Sequence, residues 1–212
     1  MKTAIIGVGN IGAQLAKNLT SGGVEITIAN RDVLKAEKLA AELGGKATAM
    51  TVADAIKEAD VIILAVYFDV MKDLIAAYHR ALAGKIVVDP SNPIAPDGKG
   101  GFKKTIPANE SSGQHIAALL PEGAEFVKAF GTLGAQSLGS AANRQPERAV
   151  LFYATDYPEA GRVVAKLITA SGFAPVSVGG VDQSIRIEVF GDLHEFGKLG
   201  KLVSARETEA LV

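Results

Sequence analysis

The chain has 212 residues, 48% of them hydrophobic, enough to bury a full core as one domain or as one domain with an elaborated end. Its 22 basic and 23 acidic residues leave a formal net charge of −1, which removes the electrostatic case for a nucleic acid or an anionic membrane as partner. With no cysteine, disulfides, thiolate catalysis and Cys-ligated metal are excluded; no run is long enough for a membrane span, and the apolar stretch ending at Gly7 is too short for a secretion signal, so a cytoplasmic protein is expected.

Thr3 to Ile6 read as a buried strand, and Ile11, Leu15, Ala16 and Leu19 recur at helical spacing. Between them lies Gly7-Val8-Gly9-Asn10-Ile11-Gly12, a G-x-G-x-x-G. Such a match is weak alone; the strand before it and the helix after it give it meaning. Gly7 serves the tight turn, Gly9 lets the backbone approach a pyrophosphate, and Gly12 lets the helix pack closely on the strand. The free N–H groups and positive dipole end of the helix then face the anion. The plain alternative is a Gly-rich turn in a parallel sheet.

Val24 to Ala29 predict a second strand, and Val33 to Leu43 a helix stopped by Gly44-Gly45. Ala47 to Met50 follow as a third strand, with a helix over Val52 to Glu58. The continuous apolar run Val61 to Val66 predicts a strand buried on both faces. Asp69 to Leu82 give a helix ending at Gly84, and Ile86 to Val88 a fifth strand. Repeated β-α-β units with short connections require a parallel sheet covered on both faces. The expected class is α/β: a Rossmann-like, doubly wound, mainly parallel sheet with a short C-terminal α/β extension.

Asp89-Pro90-Ser91-Asn92-Pro93 breaks this regularity. Through Asn109 the chain carries Pro96, Pro107, Gly98, Gly100 and Gly101 as well, too many breakers for a helix or a central strand. The segment leaves the carboxyl end of a strand, where ligands bind in open α/β sheets; it is either a functional loop or a surface excursion. Beyond it come a helix over Ser112 to Leu120, a strand over Phe126 to Phe130 and a second Gly-rich loop over 131–144. A strand over Ala149 to Ala154, a helix over Glu159 to Ser171 and a strand over Pro175 to Val178 complete the pattern. The expected division is a nucleotide-binding domain over 1–145 and an extension over 146–212 packed on the same sheet. In the stretch Leu193 to Val203, Phe196, Leu199, Leu202 and Val203 fall at near-helical spacing, as core or as a dimer seam. A homodimer is expected, closed symmetric pairs being the commonest assemblies.

Coenzyme choice is decided at the end of the second strand, which reads Ala29-Asn30-Arg31-Asp32. A ribose diol calls for an acidic residue there and a 2′-phosphate for a basic or polar one. Asn30 can donate hydrogen bonds, and Arg31 offers a planar fork suited to phosphate, so the reading favours NADP over NAD. Asp32 is read as the cap of the next helix. Lys35, one turn on, either approaches the phosphate or lies solvated.

Taken with Lys128-Ala129-Phe130-Gly131-Thr132 and the run Gly179-Gly180-Val181-Asp182-Gln183-Ser184-Ile185-Arg186-Ile187-Glu188, these motifs resemble the NADP oxidoreductase, coenzyme F420-dependent family. These are small Rossmann proteins related to the reductase domain of the STEAP metalloreductases, and the resemblance spans nearly the whole chain. It implies that Gly7, Gly9, Asn10, Ile11, Gly12, Asn30 and Arg31 hold NADP(H), that Val66 and Tyr67 lie beside the nucleotide, and that Asn92 and Pro93 approach the nicotinamide. It also implies that Thr132, Leu133, Gly134 and Ala135 line the face for a second substrate: coenzyme F420, FMN or FAD. One departure stands out. Archaeal deazaflavin-using members carry a histidine before that threonine, and this chain has Gly131.

Hydride transfer between a dihydropyridine and a flavin-type ring can proceed by positioning alone, with water supplying the proton, so no catalytic acid or base is assigned. His79, His115 and His194 are scattered, without metal-binding spacing. His79 reads as a surface residue at a helix end, His115 as structural, and His194 as the one in a potentially reactive setting. Asp182 and Arg186 read as an ion pair one helical turn apart. The expected function is hydride transfer between NADP(H) and a small-molecule acceptor: a flavin, a deazaflavin, a quinone-like molecule or a ferric species. The alternative is a non-enzymatic NADP(H)-binding redox sensor. A pyrroline-5-carboxylate-reductase-like dehydrogenase is weaker, since too little chain remains for that family's helical domain.

Overall fold

In the computed structural model, which describes residues 1–208 and 211, the apolar runs become the centre of one sheet. The first half alternates without interruption: β1 (Thr3–Ile6), α1 (Asn10–Ser21), β2 (Ile26–Ala29), α2 (Val33–Leu43), β3 (Ala47–Met50), α3 (Val52–Glu58), β4 (Val61–Leu64), α4 (Phe68–Tyr78) and β5 (Ile86–Asp89). The second half adds β6 (Ile94–Pro96), β7 (Phe102–Lys104), α5 (Ser112–Ala117), β8 (Glu125–Ala129), α6 (Ala135–Ser140), β9 (Val150–Ala154), α7 (Pro158–Ala170), β10 (Ala174–Ser177), α8 (Ser184–Ile187) and α9 (Ala205–Thr208). None of the described helices is long and apolar enough to cross a membrane.

The eight-stranded sheet runs β10-β9-β8-β5-β4-β1-β2-β3, so the chain winds outward in both directions from β1. The order reverses between β1 and β4, the switch point where doubly wound sheets open a crevice at their carboxyl ends. All neighbours are parallel except β8 and β9, which pair antiparallel through Lys128 opposite Ala154. Successive side chains divide the core as the period of two dictates. Ile5, Ile28, Ile63 and Val88 pack under α1, α2 and α7 with Leu15, Leu19 and Ile168; Ile6, Ile62, Leu64 and Val87 pack on the other face with Ile56, Met71 and Ile75.

Several elements differ from the sequence reading. β2 begins at Ile26, and β4 ends at Leu64 because Ala65 and Val66 turn back onto it, donating to the carbonyls of Ile63 and Leu64. α4 gives way at His79 to a 3-10 turn. The Pro/Gly-rich loop contains the antiparallel hairpin β6–β7, whose bend is held by Asp97 accepting from the amides of Lys99 (2.7 Å) and Gly101 (2.9 Å). The second Gly-rich loop folds into α6.

The stretch 193–203 is a chain of turns, not a helix, although Leu193 and Val203 are buried. Gly197 lies so close to the Gly191 backbone that no side chain fits, and Gly200 adopts φ +61°; both break the helical spacing. Asp182 and Arg186 do not pair. A 3-10 turn over Val181–Gln183 takes Asp182 off the regular helix, where it accepts from Gln183, and Arg186 instead reaches Asp192 at 3.0 Å. The segment that carries them, from Val181 to Val189, crosses the fold: Val181 N–H donates to Asp156 beyond β9, and Val189 N–H to Asn92 beyond β5.

Candidate functional site

The first cradle forms where β1 ends. Gly7 has φ +103°, and a side chain there would overlap the Ala65 carbonyl, while one at Gly12 would overlap the carbonyl of Gly7 itself. Both glycines therefore let backbone pack on backbone. Gly9 differs. It begins α1 in extended backbone (φ −69°, ψ −170°), and a Cβ built on it meets nothing within 4 Å. α1 has no side-chain cap and no acidic residue in its first turn, so its N-terminal amides are left for an anion. An open Gly9 ahead of an uncapped helix fits a pyrophosphate.

Beside it, β1 and β2 end level, with Ile6 opposite Ala29 and the Gly7 N–H donating to the Ala29 carbonyl at 2.8 Å. Arg31 and Lys35 project from this end, exposed, and Arg31 has no ion-pair partner among the described residues. Asp32 occupies the N-cap position of α2 but its side chain makes no cap bond. Asn30 holds that turn instead, donating from Nδ2 to the Asp32 carbonyl at 3.1 Å. On the other flank Val66 is half-buried and Tyr67 is 83% exposed. These groups fit an NADP(H) whose 2′-phosphate meets Arg31.

The second half of the site lies at the ends of β5 and β8, where Asp89 and Lys128 are register partners. Lys128 Nζ donates to Asp89 Oδ2 (2.7 Å), the Ser91 carbonyl (2.7 Å) and Ser112 Oγ (3.2 Å). Asp89 Oδ1 accepts from the Ser91 N–H (2.6 Å), which folds the chain sharply after β5. Glu188 is buried alongside, accepting from Ser111 Oγ (2.7 Å) and the amides of Gly113 (2.8 Å) and Ser112 (3.0 Å). Burial would raise the pKa of this carboxyl, but the Lys128 charge and these donors outweigh it and hold it below the usual range. Sequence reasoning noticed Lys128 and Glu188 only as parts of motifs. A charged residue inside an apolar strand is the signal that could have marked Lys128 as paired.

Asn92 is clamped at both ends of its amide: Oδ1 accepts from the Val189 N–H (2.7 Å), and Nδ2 donates to the Gly131 carbonyl (2.9 Å). It thus ties the β5 end to the β8 loop and the C-terminal segment, with Pro93 buried next to it. Phe130, fully buried, takes φ +65°, a left-handed conformation costly for a bulky residue and concentrated at functional turns. A Cβ at Gly131 would come within 2.8 Å of the Pro90 carbonyl oxygen, so this turn has no room for a side chain there. Ser91 Oγ and Thr132 Oγ1 are buried with no hydrogen-bond partner, two orphaned polar atoms on the ends of adjacent strands.

His194 is buried, its Nε2 donating to the Gly131 carbonyl (3.0 Å) while Nδ1 accepts from the Phe196 N–H (3.0 Å). Burial, helped by the Lys128 charge, lowers its pKa against the opposing pull of the Gly131 carbonyl and Glu195. It is a neutral structural latch rather than a reactive group. Glu195 continues the strap: its N–H donates to the Thr132 carbonyl (3.2 Å), and its carboxylate accepts from the Gly134 N–H and from Ser137 Oγ (2.6 Å). His115 pairs with Glu110 on the surface, and no metal-binding cluster occurs among the described residues.

The family described as NADP oxidoreductase, coenzyme F420-dependent, matches residues 2–93, from β1 through Asn92 and Pro93. Over that segment the chain resembles this family, whose description names NADP-dependent oxidoreductases. The F420-dependent NADP reductase of Methanothermobacter marburgensis is 27% identical over 199 residues, covering 89% of this chain and 88% of that protein. Among solved structures, a hypothetical protein from Sinorhizobium meliloti superposes with a TM-score of 0.84 at 32% identity, over 96% of this chain and 95% of that one. A putative F420-dependent NADP reductase from an Arthrobacter species shares the fold at a TM-score of 0.75 and 24% identity, over 87% of each chain. The chain spans 21% of an uncharacterized oxidoreductase of Bacillus subtilis and 23% of the glutamyl-tRNA reductase of Pyrobaculum islandicum. The Gly turn, Asn30-Arg31 and the β5 end all fall inside the matched segment.

Proposed function

We propose that this protein exchanges hydride between NADP(H) and a planar acceptor of the flavin, deazaflavin or quinone type. One arrangement carries the reading. A single edge of the sheet presents the open Gly9 turn beside the unpaired Arg31 and, two to three strands away, the loops after β5 and β8 with their orphaned hydroxyls. With neighbouring strands about 5 Å apart, these lie on the order of 10–15 Å from each other, the span of an extended dinucleotide.

NADP(H) bound there supplies or takes the hydride. The chain's own work is positional. Gly9 and the amides of Asn10, Ile11 and Gly12 hold the pyrophosphate; Asn30, Arg31 and Lys35 hold the 2′-phosphate. Val66 and Tyr67 flank the nucleotide, and Asn92 fixes Pro93 and Gly131 as one rigid floor. Of the expected acceptor face, Gly134 and Ala135 are half-buried and reach the surface, while Thr132 lies buried with its orphaned hydroxyl and Leu133 packs into the core. His194 has both ring nitrogens engaged and is unavailable for proton transfer, so the proton that accompanies the hydride comes from water. Holding two rings in contact accounts for rate without an acid or base.

NADPH oxidation across FMN, FAD, a deazaflavin, quinones and ferric chelates tests this. Turnover with a planar ring supports the reading. Tight NADPH binding with no turnover on any acceptor would replace it with a redox-sensing binding protein.

A further inference from the structure

Phe196 is an aromatic ring in the wrong place for an ordinary surface. It is 62% exposed, yet its backbone is fixed by the N–H bond to His194 Nδ1, and its ring sits 5.5 Å from the imidazole at a 42° tilt. The preceding residue is tied to the Thr132 carbonyl, the Gly134 N–H and Ser137 Oγ. The backbone bond fixes where this ring leaves the chain, yet most of the ring remains in water.

Its neighbour explains the position. Gly134 has ordinary extended backbone (φ −69°, ψ 165°), so nothing in its conformation demands glycine. A Cβ there would instead press on Phe196 Cε2 and Cζ at 3.3 Å and on Glu195 Oε1 at 3.0 Å. The missing side chain makes room for the strap and its ring, and the ring lies on the loop proposed to receive the acceptor.

We propose that Phe196 is the stacking face for the acceptor's planar ring, a specificity-determining residue that selects flat aromatic or quinonoid acceptors over non-planar ones. This rests on the reading that the loop from Thr132 to Ala135 presents the acceptor face, through Gly134 and Ala135. With its backbone already bonded to His194, the ring offers an offset-stacking partner at reduced ordering cost. Glu195 and His194 are positioning residues for it.

The test uses the full chain loaded with NADP⁺, titrated with FMN and followed by quenching of flavin fluorescence, alongside steady-state NADPH-dependent reduction of FMN and separate titration of NADPH. Phe196→Ala should weaken FMN binding and raise its KM about tenfold, the scale of one lost stacking partner, while kcat and NADPH affinity stay within about twofold. Phe196→Trp should restore binding. If wild type binds and reduces FMN and Phe196→Ala does the same equally well, or if NADPH affinity falls in parallel, Phe196 is no stacking face although the acceptor reading survives. If wild type neither binds nor reduces any planar ring, both readings fall together.

Discussion

Lys128 and Asp89 form an ion pair sealed from water, Nζ lying 2.7 Å from Oδ2 with the two side chains 1% and 0% exposed. Charges so placed have paid their desolvation, so the pair is worth less than its geometry implies, but removing one partner leaves the other stranded. Lys128→Met should cost roughly 3–5 kcal/mol, lowering Tm by about 10 °C or more. Adding Asp89→Leu should recover only part of it, because Glu188 stays without the Lys128 charge and the Ser91 N–H without Asp89. Thermal melts of the single and double variants decide: a single variant as stable as wild type would show that water reaches the pair.

Glycine substitutions in the first turn should separate folding from binding. Gly9→Ala adds a methyl to open space and should leave stability unchanged while weakening NADPH binding, because the pyrophosphate approaches there. Gly12→Ala forces a methyl into the Gly7 carbonyl and should destabilise the fold itself. Undiminished NADPH affinity in folded Gly9→Ala protein would remove the pyrophosphate from this turn.

Arg31→Ala should raise the NADPH dissociation constant about ten- to a hundred-fold, the worth of one charge-assisted bond, and change NADH binding only a few-fold. High salt should shrink the difference, since Arg31 is exposed. Equal losses for both coenzymes would make Arg31 a loop residue with no part in reading the phosphate.

Acid should loosen the strap first. His194 has a lowered pKa when folded, so below about pH 6.5 the unfolded chain takes up the proton more readily than the native one. The stability it contributes is whole above that pH and falls as pH drops toward the folded value; Glu188, also lowered, adds a second loss below about pH 4.5. Protonated Nδ1 can no longer accept from the Phe196 N–H, so the 194–196 strap opens. Urea midpoints between pH 5 and 7 should slope upward with pH in wild type and flatten in His194→Gln. An equal slope in both proteins would place the titration elsewhere.

The sheet was legible where burial on both faces wrote a continuous apolar run, as in Val61 to Leu64, and the Gly turn was legible because backbone close approach constrains residue type at fixed spacing. The hairpin over Ile94–Lys104 was not, because it depends on Asp97 catching two amides, a local bond that composition hides. Periodicity misread 193–203 because the apolar residues there serve different neighbours, Leu193 and Val203 packing beside β9 while Phe196 faces out. The pairing of Lys128 with Asp89, 39 residues apart, and of Asn92 with Val189, 97 apart, exists only once the sheet has formed. Asp182 and Arg186 failed as a pair for the converse reason: their spacing presumed a regular helix.

The single antiparallel neighbour in the sheet has a consequence for how this architecture diversifies. Because β9 runs against β8, its own outgoing loop is delivered to the far rim, and the near rim is finished instead by the segment that crosses back from Asp156 to Asn92 and ends in the strap. On the proposed reading, Arg31 reads the coenzyme and Phe196 the acceptor, so the two selections sit far apart in the chain and exchange of the strap over 194–196 would change the acceptor without touching the Arg31 end.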